Sequence, residues 1–227
     1  MPPGDWITFD CYGTLIDWEG GVADALAPFL PAPVDRRALA ARYIAIEAVV
    51  EQETYRPYRE VLAEASSRLM AELGHPLPAG QALVLPDSLP RWRPFLEVPT
   101  ALRALRRAGH RLAILSNVDR DLIAASIPKL GIELDLLVTA QDCRSYKPAP
   151  GHWEHFQAKS GASPGRTVHV GASLHHDVVP AGALGYSTIF INRHGEPVAG
   201  TTPTRVLPDL GQLPDAVEEL VRRGAPG

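Results

Sequence analysis

Apolar runs that break off at small polar residues recur along this chain, and helical stretches separate most of them. Trp6 to Phe9 stops at Asp10, with the turn Gly13-Thr14 just beyond; Arg111 to Leu115 ends in Ser116-Asn117. Leu134–Thr139, Thr167–Gly171 and Ser187–Ile191 repeat the pattern. Short, near-continuous apolar runs are what strands of a parallel sheet look like when both faces are covered. Parallel neighbours need crossovers of a dozen residues or more, usually helices. Helical spacing fills the gaps at Thr100–Ala108, Asp119–Leu130 (with Pro128 near its end), Gly151–Ser160 and Asp177–Leu184, and again at Pro214–Arg222. The expected fold is therefore α/β, a Rossmann-like doubly wound parallel sheet.

Between about residues 20 and 93 the rhythm changes. Apolar positions follow helical spacing through Ala38, Leu39, Ala41, Ile44, Ile46, Val49 and Val50. A second helix is expected from about Pro57 to Leu73, closed by Gly74-His75-Pro76, and a weaker segment from Ala79 to Trp92. No strand is evident there. The division is thus a core of residues 1–16 and 94–227, carrying a helical insert at 17–93.

With 227 residues the chain can bury one sizeable core with a smaller lobe. A net charge of −4 gives no basic footprint, so nucleic acid and an anionic membrane surface are not expected partners. No apolar run approaches the roughly 18 residues of a spanning helix. Met1-Pro2-Pro3-Gly4-Asp5 lacks the pattern of an export signal, and Cys11 and Cys143 have no zinc or redox spacing. The expectation is a cytoplasmic protein with reduced thiols.

The carboxyl ends of strands in such a sheet open onto one crevice. After the first strand stand Asp10 and Thr14; after the second, Ser116 and Asn117; after the third, Lys147-Pro148; after the fourth, Ser173, His175, His176 and Asp177. Each has an ordinary explanation alone, since aspartates and serines cap turns and helices and lysines coat loops. Placed together they form a nucleophilic site. Lys147 keeps Asp10 charged, Ser116 and backbone amides hold an anion, and Asp177 serves as base on water. His152, His155, His175 and His176 show no metal-binding spacing, so no metal and no cofactor are expected.

These motifs, Asp10-x-Tyr-Gly-Thr-Leu, Leu115-Ser116-Asn117, Lys147-Pro148 and Gly171 to Asp177, resemble those of the haloacid dehalogenase superfamily in order and spacing. The resemblance spans nearly the whole chain and implies a Rossmann-like core with a helical cap. Phe9 to Trp18 and Ile189-Phe190-Ile191-Asn192-Arg193 look most like the type II 2-haloacid dehalogenases. The superfamily's phosphatases carry a second aspartate two residues after the nucleophile and hold magnesium with acids of the last motif. Tyr12 and Ala172 occupy those places here. An alkoxide leaves poorly without an acid, whereas a halide leaves without a proton.

The resemblance thus implies a 2-haloacid dehalogenase. Asp10 attacks C2 of a small carboxylate substrate, halide leaves, and Asp177 directs water at the aspartyl ester, with Lys147 and Thr14 completing the catalytic set. Arg42 and Asn117 match the residues expected to receive the halide. Cys11, Tyr12, Ser173, His176 and Trp153, the last where the family has a tyrosine, are expected to border the substrate. Ala172 and Leu174 replace a serine and an asparagine of the family's last motif. Three alternatives follow from the same residues: a magnesium-dependent phosphatase, a hydrolase of strained small-ring carboxylates, and a non-catalytic binding protein. A homodimer paired through the cap is possible by the same resemblance.

Overall fold

The computed structural model describes residues 5–198 and 200–224. Met1 to Gly4, on which the argument against an export signal rests, lie outside that range, as do Ala199 and Ala225 to Gly227. Strands β1 (Trp6–Phe9), β2 (Arg111–Ser116), β3 (Leu136–Thr139), β4 (Thr167–Gly171), β5 (Ser187–Ile191) and β6 (Arg205–Leu207) form one sheet. Its order is β3-β2-β1-β4-β5-β6 and every pairing is parallel.

The register explains the two-sided core. Ile7 and Phe9 of β1 pack with Leu112, Ile114, Val168, Val170, Ile189 and Ile191 on one face. Trp6, Ala113, Leu115 and Val138 point to the other face, against Trp153 and Phe156. Alternate residues of each strand are thus buried on opposite sides, as a sheet covered by helices on both faces requires. The chain leaves β1 toward β2 on one side and returns to β4 on the other, so β1 and β4 flank the topological switch point.

The helices are α1 (Trp18–Leu26), α2 (Arg36–Glu51), α3 (Tyr58–Glu72), α4 (Val98–Arg107), α5 (Arg120–Ala124), α6 (Ala140–Cys143), α7 (Gly151–Ser160), α8 (Val179–Ala183) and α9 (Leu213–Gly224). Asp17 starts α1 by accepting a hydrogen bond from the Gly20 amide at 2.9 Å. This helix is absent from the sequence expectation because Gly20-Gly21 reads as a breaker. Packing overrides propensity here: a Cβ at Gly21 would lie 2.5 Å from the Trp92 indole, so only glycine lets α1 close on Trp92.

The expected helix Asp119–Leu130 is two pieces, α5 and a 3-10 turn at Ile127–Leu130, because Pro128 has no N–H to give to a continuous helix. The weak segment 79–92 contributes only the 3-10 turn Pro86–Arg91, for the same reason at Pro86 and Pro90. The helix expected from Asp177 begins instead as a wide turn, Leu174–Val178, before α8. No helix among the described residues is long and apolar enough to cross a membrane.

Candidate active site

The Asp10 amide donates to the Val170 carbonyl at 2.9 Å, extending the β1–β4 ladder one residue past the strand and fixing the backbone where the side chain departs. Lys147 Nζ donates to Asp10 Oδ1 at 2.9 Å. Thr14 Oγ1 donates to Oδ2 at 2.8 Å and accepts from the Ala172 amide at 2.9 Å, so its hydroxyl is committed in both directions. The Asp10 side chain remains 14 % exposed, while that of Lys147 is 1 % exposed. A carboxyl group with one open face is thus presented to the crevice.

Lys147 also donates to Asp177 Oδ1, at 2.6 Å. The Ser173 amide donates to Asp177 Oδ2 at 3.3 Å. Gly171 makes this approach possible, because a Cβ there would sit 2.4 Å from Asp177 Cβ. His169, on β4, lies behind the pair: its Nδ1 is 2.9 Å from Thr8 Oγ1 and its Nε2 3.4 Å from Asp177 Oδ1.

One ammonium therefore serves two buried carboxylates. Burial opposes charge on all three groups. For Lys147 the two carboxylates outweigh burial and hold the ammonium above its usual range. For Asp177, Lys147 and His169 outweigh burial and hold the carboxyl well below its usual range. For Asp10 burial wins, with Asp177 adding to it, and its carboxyl is raised. Asp10 is thus the more basic of the two, which suits the role of nucleophile.

Tyr12, Ser116, Asn117, Ser173 and His176 line a cavity of about 470 Å³ together with Asp10, Lys147 and Asp177. The Tyr12 hydroxyl is 3.1 Å from Ser126 Oγ, and its ring meets the Trp92 ring edge-on. Ser173 Oγ accepts from the His176 amide at 3.0 Å, turning the His176 ring into the cavity wall.

Three expected residues are elsewhere. Cys11 is fully buried and packs into the core beneath the nucleophile turn. Trp153 is also fully buried, on the far side of the sheet, where its ring meets His169 edge-on at 5.3 Å. Arg42 points outward from α2, half exposed, with Nη2 3.5 Å from Glu72. The face that α2 turns inward carries Tyr43, Glu47 and Glu51 instead. Glu47 and Glu51 line the cavity, and Tyr43 is buried beside them.

Glu47 Oε1 accepts from the Tyr58 hydroxyl at 2.6 Å and from Tyr43 at 3.1 Å. Glu51 Oε2 lies 3.7 Å from His176 Nε2. The spacing Tyr43, Glu47, Glu51 is the i, i+4, i+8 signature of one helix face, and it was the available signal for this wall. His169 had no such signal inside its apolar run.

The magnesium of the phosphatase alternative needs carboxylates that converge on an ion. Here Lys147 Nζ occupies the space between Asp10 and Asp177, and Ala172 presents a methyl group where another acid would stand. The donor set does not fit that ion. Among the described residues no group of three or more His, Cys, Asp or Glu could hold a metal.

A family model described as haloacid dehalogenase-like hydrolase matches residues 5–185. The chain is 33 % identical over 216 residues to haloacetate dehalogenase H-2 of Moraxella sp. strain B, covering 92 % of this chain and 91 % of that one. It is 29 % identical to the (S)-2-haloacid dehalogenase of Pseudomonas sp. strain YL, over 92 % of this chain and 88 % of that one. It shares its fold with the L-2-haloacid dehalogenase of Xanthobacter autotrophicus solved with chloropropionic acid covalently bound. That likeness has a TM-score of 0.81 at 19 % identity, over 95 % of this chain and 98 % of that one.

Proposed function

Because the chain belongs to the haloacid dehalogenase-like hydrolase family, we propose that it hydrolyses the carbon–halogen bond of short 2-haloalkanoic acids to 2-hydroxy acids. One observation carries this reading. Asp10 is held by Thr14 and Lys147 with one face open to the cavity, and a tyrosine, not an acid, stands two residues on. A lone carboxylate suits displacement of a halide better than displacement of an alkoxide.

In the first step an Asp10 oxygen attacks C2 from the side opposite the halogen, the carbon–halogen bond breaks, and an aspartyl ester remains. The substrate carboxylate lies against Ser116 and nearby backbone N–H groups. In the second step Asp177 directs water at the ester carbonyl. The acyl–oxygen bond breaks, the hydroxy acid departs, and Asp10 is regenerated. A single displacement at C2 inverts its configuration. Lys147 pairs with the Asp10 carboxylate before attack and keeps Asp177 ionised once Asp10 is esterified.

In this reading residues 17–93 form the cap and residues 1–16 and 94–227 the catalytic core. The free thiols of Cys11 and Cys143 fit a reducing cytoplasm, and a homodimer paired through the cap completes the reading.

The test is 2-chloropropionate in the presence of chelator. Wild type releases chloride, and Asp177→Asn accumulates a propionate ester on the Asp10 peptide, seen by mass spectrometry. No halide from wild type across a panel of 2-haloacids sinks the proposal. Chelator-sensitive phosphate release from phosphate esters would replace it with the phosphatase.

A further inference from the structure

One buried polar pair has no part in the two chemical steps. The β1–β4 register sets Thr8 opposite His169, and both are buried. His169 meets Trp153 edge-on at 5.3 Å, in the layer that otherwise holds Trp6, Leu115, Val138 and Phe156. An imidazole and a hydroxyl in an apolar layer carry a desolvation cost unless their polar atoms find partners. Here they do: Nδ1 of His169 is 2.9 Å from Thr8 Oγ1, and Nε2 is 3.4 Å from Asp177 Oδ1. An ionised carboxylate can only accept. Nε2 therefore carries a hydrogen and donates it to Asp177, and Nδ1 accepts from the Thr8 hydroxyl.

Among the described residues the Asp177 carboxylate has three supports, and they depend on different things. Lys147 Nζ donates to Oδ1 at 2.6 Å, but divides its ammonium between Asp177 and Asp10. Once Asp10 is an ester its negative charge is gone, and one of the two anchors of that ammonium goes with it. The Ser173 amide donates to Oδ2 at 3.3 Å from the start of the wide turn that carries His176 into the cavity wall. His169 alone is fixed from within the sheet, by Thr8 on β1 and by Trp153 on α7. It does not line the cavity and makes no hydrogen bond to Asp10 among the described residues, so its hold on Asp177 is the same before and after the covalent step. Oδ1 thus receives two side-chain donors, whereas Oδ2 receives one long bond and keeps a lone pair for water.

On the dehalogenase reading, we propose that His169, backed by Thr8, is a positioning residue for the second step alone: it holds Oδ1 of Asp177 so that Oδ2 stays free to direct water at the aspartyl ester. Attack of Asp10 on C2 proceeds without it. In the second step the water oxygen bonds to the ester carbon as Asp177 takes one of its protons. That proton passes to the departing alkoxide oxygen as the acyl–oxygen bond breaks, and Asp177 ends ionised as it began. The second proton leaves the regenerated Asp10 carboxyl for solvent. No bond to His169 forms or breaks; its N–H stays on Oδ1 throughout.

The experiment is a single turnover of 2-chloropropionate, quenched at intervals. Chloride reads the first step, 2-hydroxypropionate the second, and the mass of the Asp10 peptide the ester between them. His169→Phe keeps a ring against Trp153 and removes the donor to Asp177. It releases chloride within a few-fold of wild type but forms 2-hydroxypropionate roughly 10–10²-fold more slowly, the worth of one hydrogen bond to a charged group. The ester accumulates in the interval. His169→Gln brings an N–H to about the place of Nε2 and restores most of the second rate. Equal losses in both rates for His169→Phe would assign His169 a packing role and overturn the proposal, and so would unchanged rates. Ester accumulation in His169→Gln as large as in His169→Phe would overturn it too. Should His169→Phe fail to fold, Thr8→Val decides, because it removes the hydroxyl that fixes the ring. A second step no slower relative to the first than in wild type then overturns the proposal. In each of these cases wild type still releases chloride and the dehalogenase reading stands; no halide from wild type across a panel of 2-haloacids brings down both.

Discussion

Replacing Lys147 with methionine keeps an unbranched side chain of similar length and removes the charge. Lys147 is 1 % exposed and bridges Asp10 and Asp177, so the change leaves two carboxylates at 14 % and 1 % exposure facing each other without a cation. Breaking a buried pair from one side costs about 3–5 kcal/mol. Each kcal/mol moves the melting temperature of a chain this size by about 2–4 °C, so Lys147→Met melts roughly 6–20 °C below wild type near neutral pH.

The pH dependence gives a sharper test. In the variant both carboxyls are raised in the folded state above their unfolded values of about 4. The folded protein then binds more protons than the unfolded chain across that window, so its stability falls as pH rises. In wild type the depressed Asp177 works the other way, adding stability above the ordinary carboxylate range that is lost as pH falls. The gap between the two proteins is therefore widest at alkaline pH and narrows toward pH 4. Urea unfolding at several pH values measures it. A gap under about 1 kcal/mol, or one that does not change with pH, would refute the claim that one ammonium supports both acids.

Two further substitutions probe other parts of the site. Thr14→Val removes the donor to Asp10 Oδ2 and leaves the Ala172 amide without its acceptor. A stability loss of about 1–3 kcal/mol is expected, with a fall in kcat for halide release and little change in KM; an unchanged kcat would mean that Asp10 is oriented by Lys147 alone. Arg42→Ala removes only a half-exposed ion pair with Glu72, so stability shifts by less than about 1 kcal/mol and KM for 2-chloropropionate stays within a few-fold of wild type. A tenfold rise in KM would show that Arg42 swings inward during turnover.

The parallel sheet was legible because buried strands with polar ends leave a pattern that little else produces, and the end of each strand named its residues in advance. Asp10, Ser116, Asn117, Lys147 and Asp177 fall into one cavity for that reason alone. The misplacements have different causes. Arg42 and Tyr43 are neighbours in sequence, yet a helix turns about 100° per residue, and only packing decides which of them looks inward. Glu47 and Glu51 resemble a solvated helix face until Tyr43 and Tyr58 are seen to close over Glu47. Trp153 follows Lys147-Pro148 closely in the chain, but α7 carries it under the sheet to Trp6 and Phe156. β6 has three residues, too few for any period to show.

The stripe of Tyr43, Glu47 and Glu51 also separates two jobs within the gene. Asp10 and its supports are encoded at and just after the ends of strands, where a change at Thr14 reaches Asp10 and a change at Gly171 reaches Asp177. The wall of the cavity facing them is encoded by codons spaced four apart on one helix. A small combinatorial library at positions 43, 47 and 51 therefore varies that wall while leaving Asp10, Lys147 and Asp177 untouched. Natural drift along the same helix face offers lineages of this scaffold the same freedom to diversify in substrate without reinventing their chemistry.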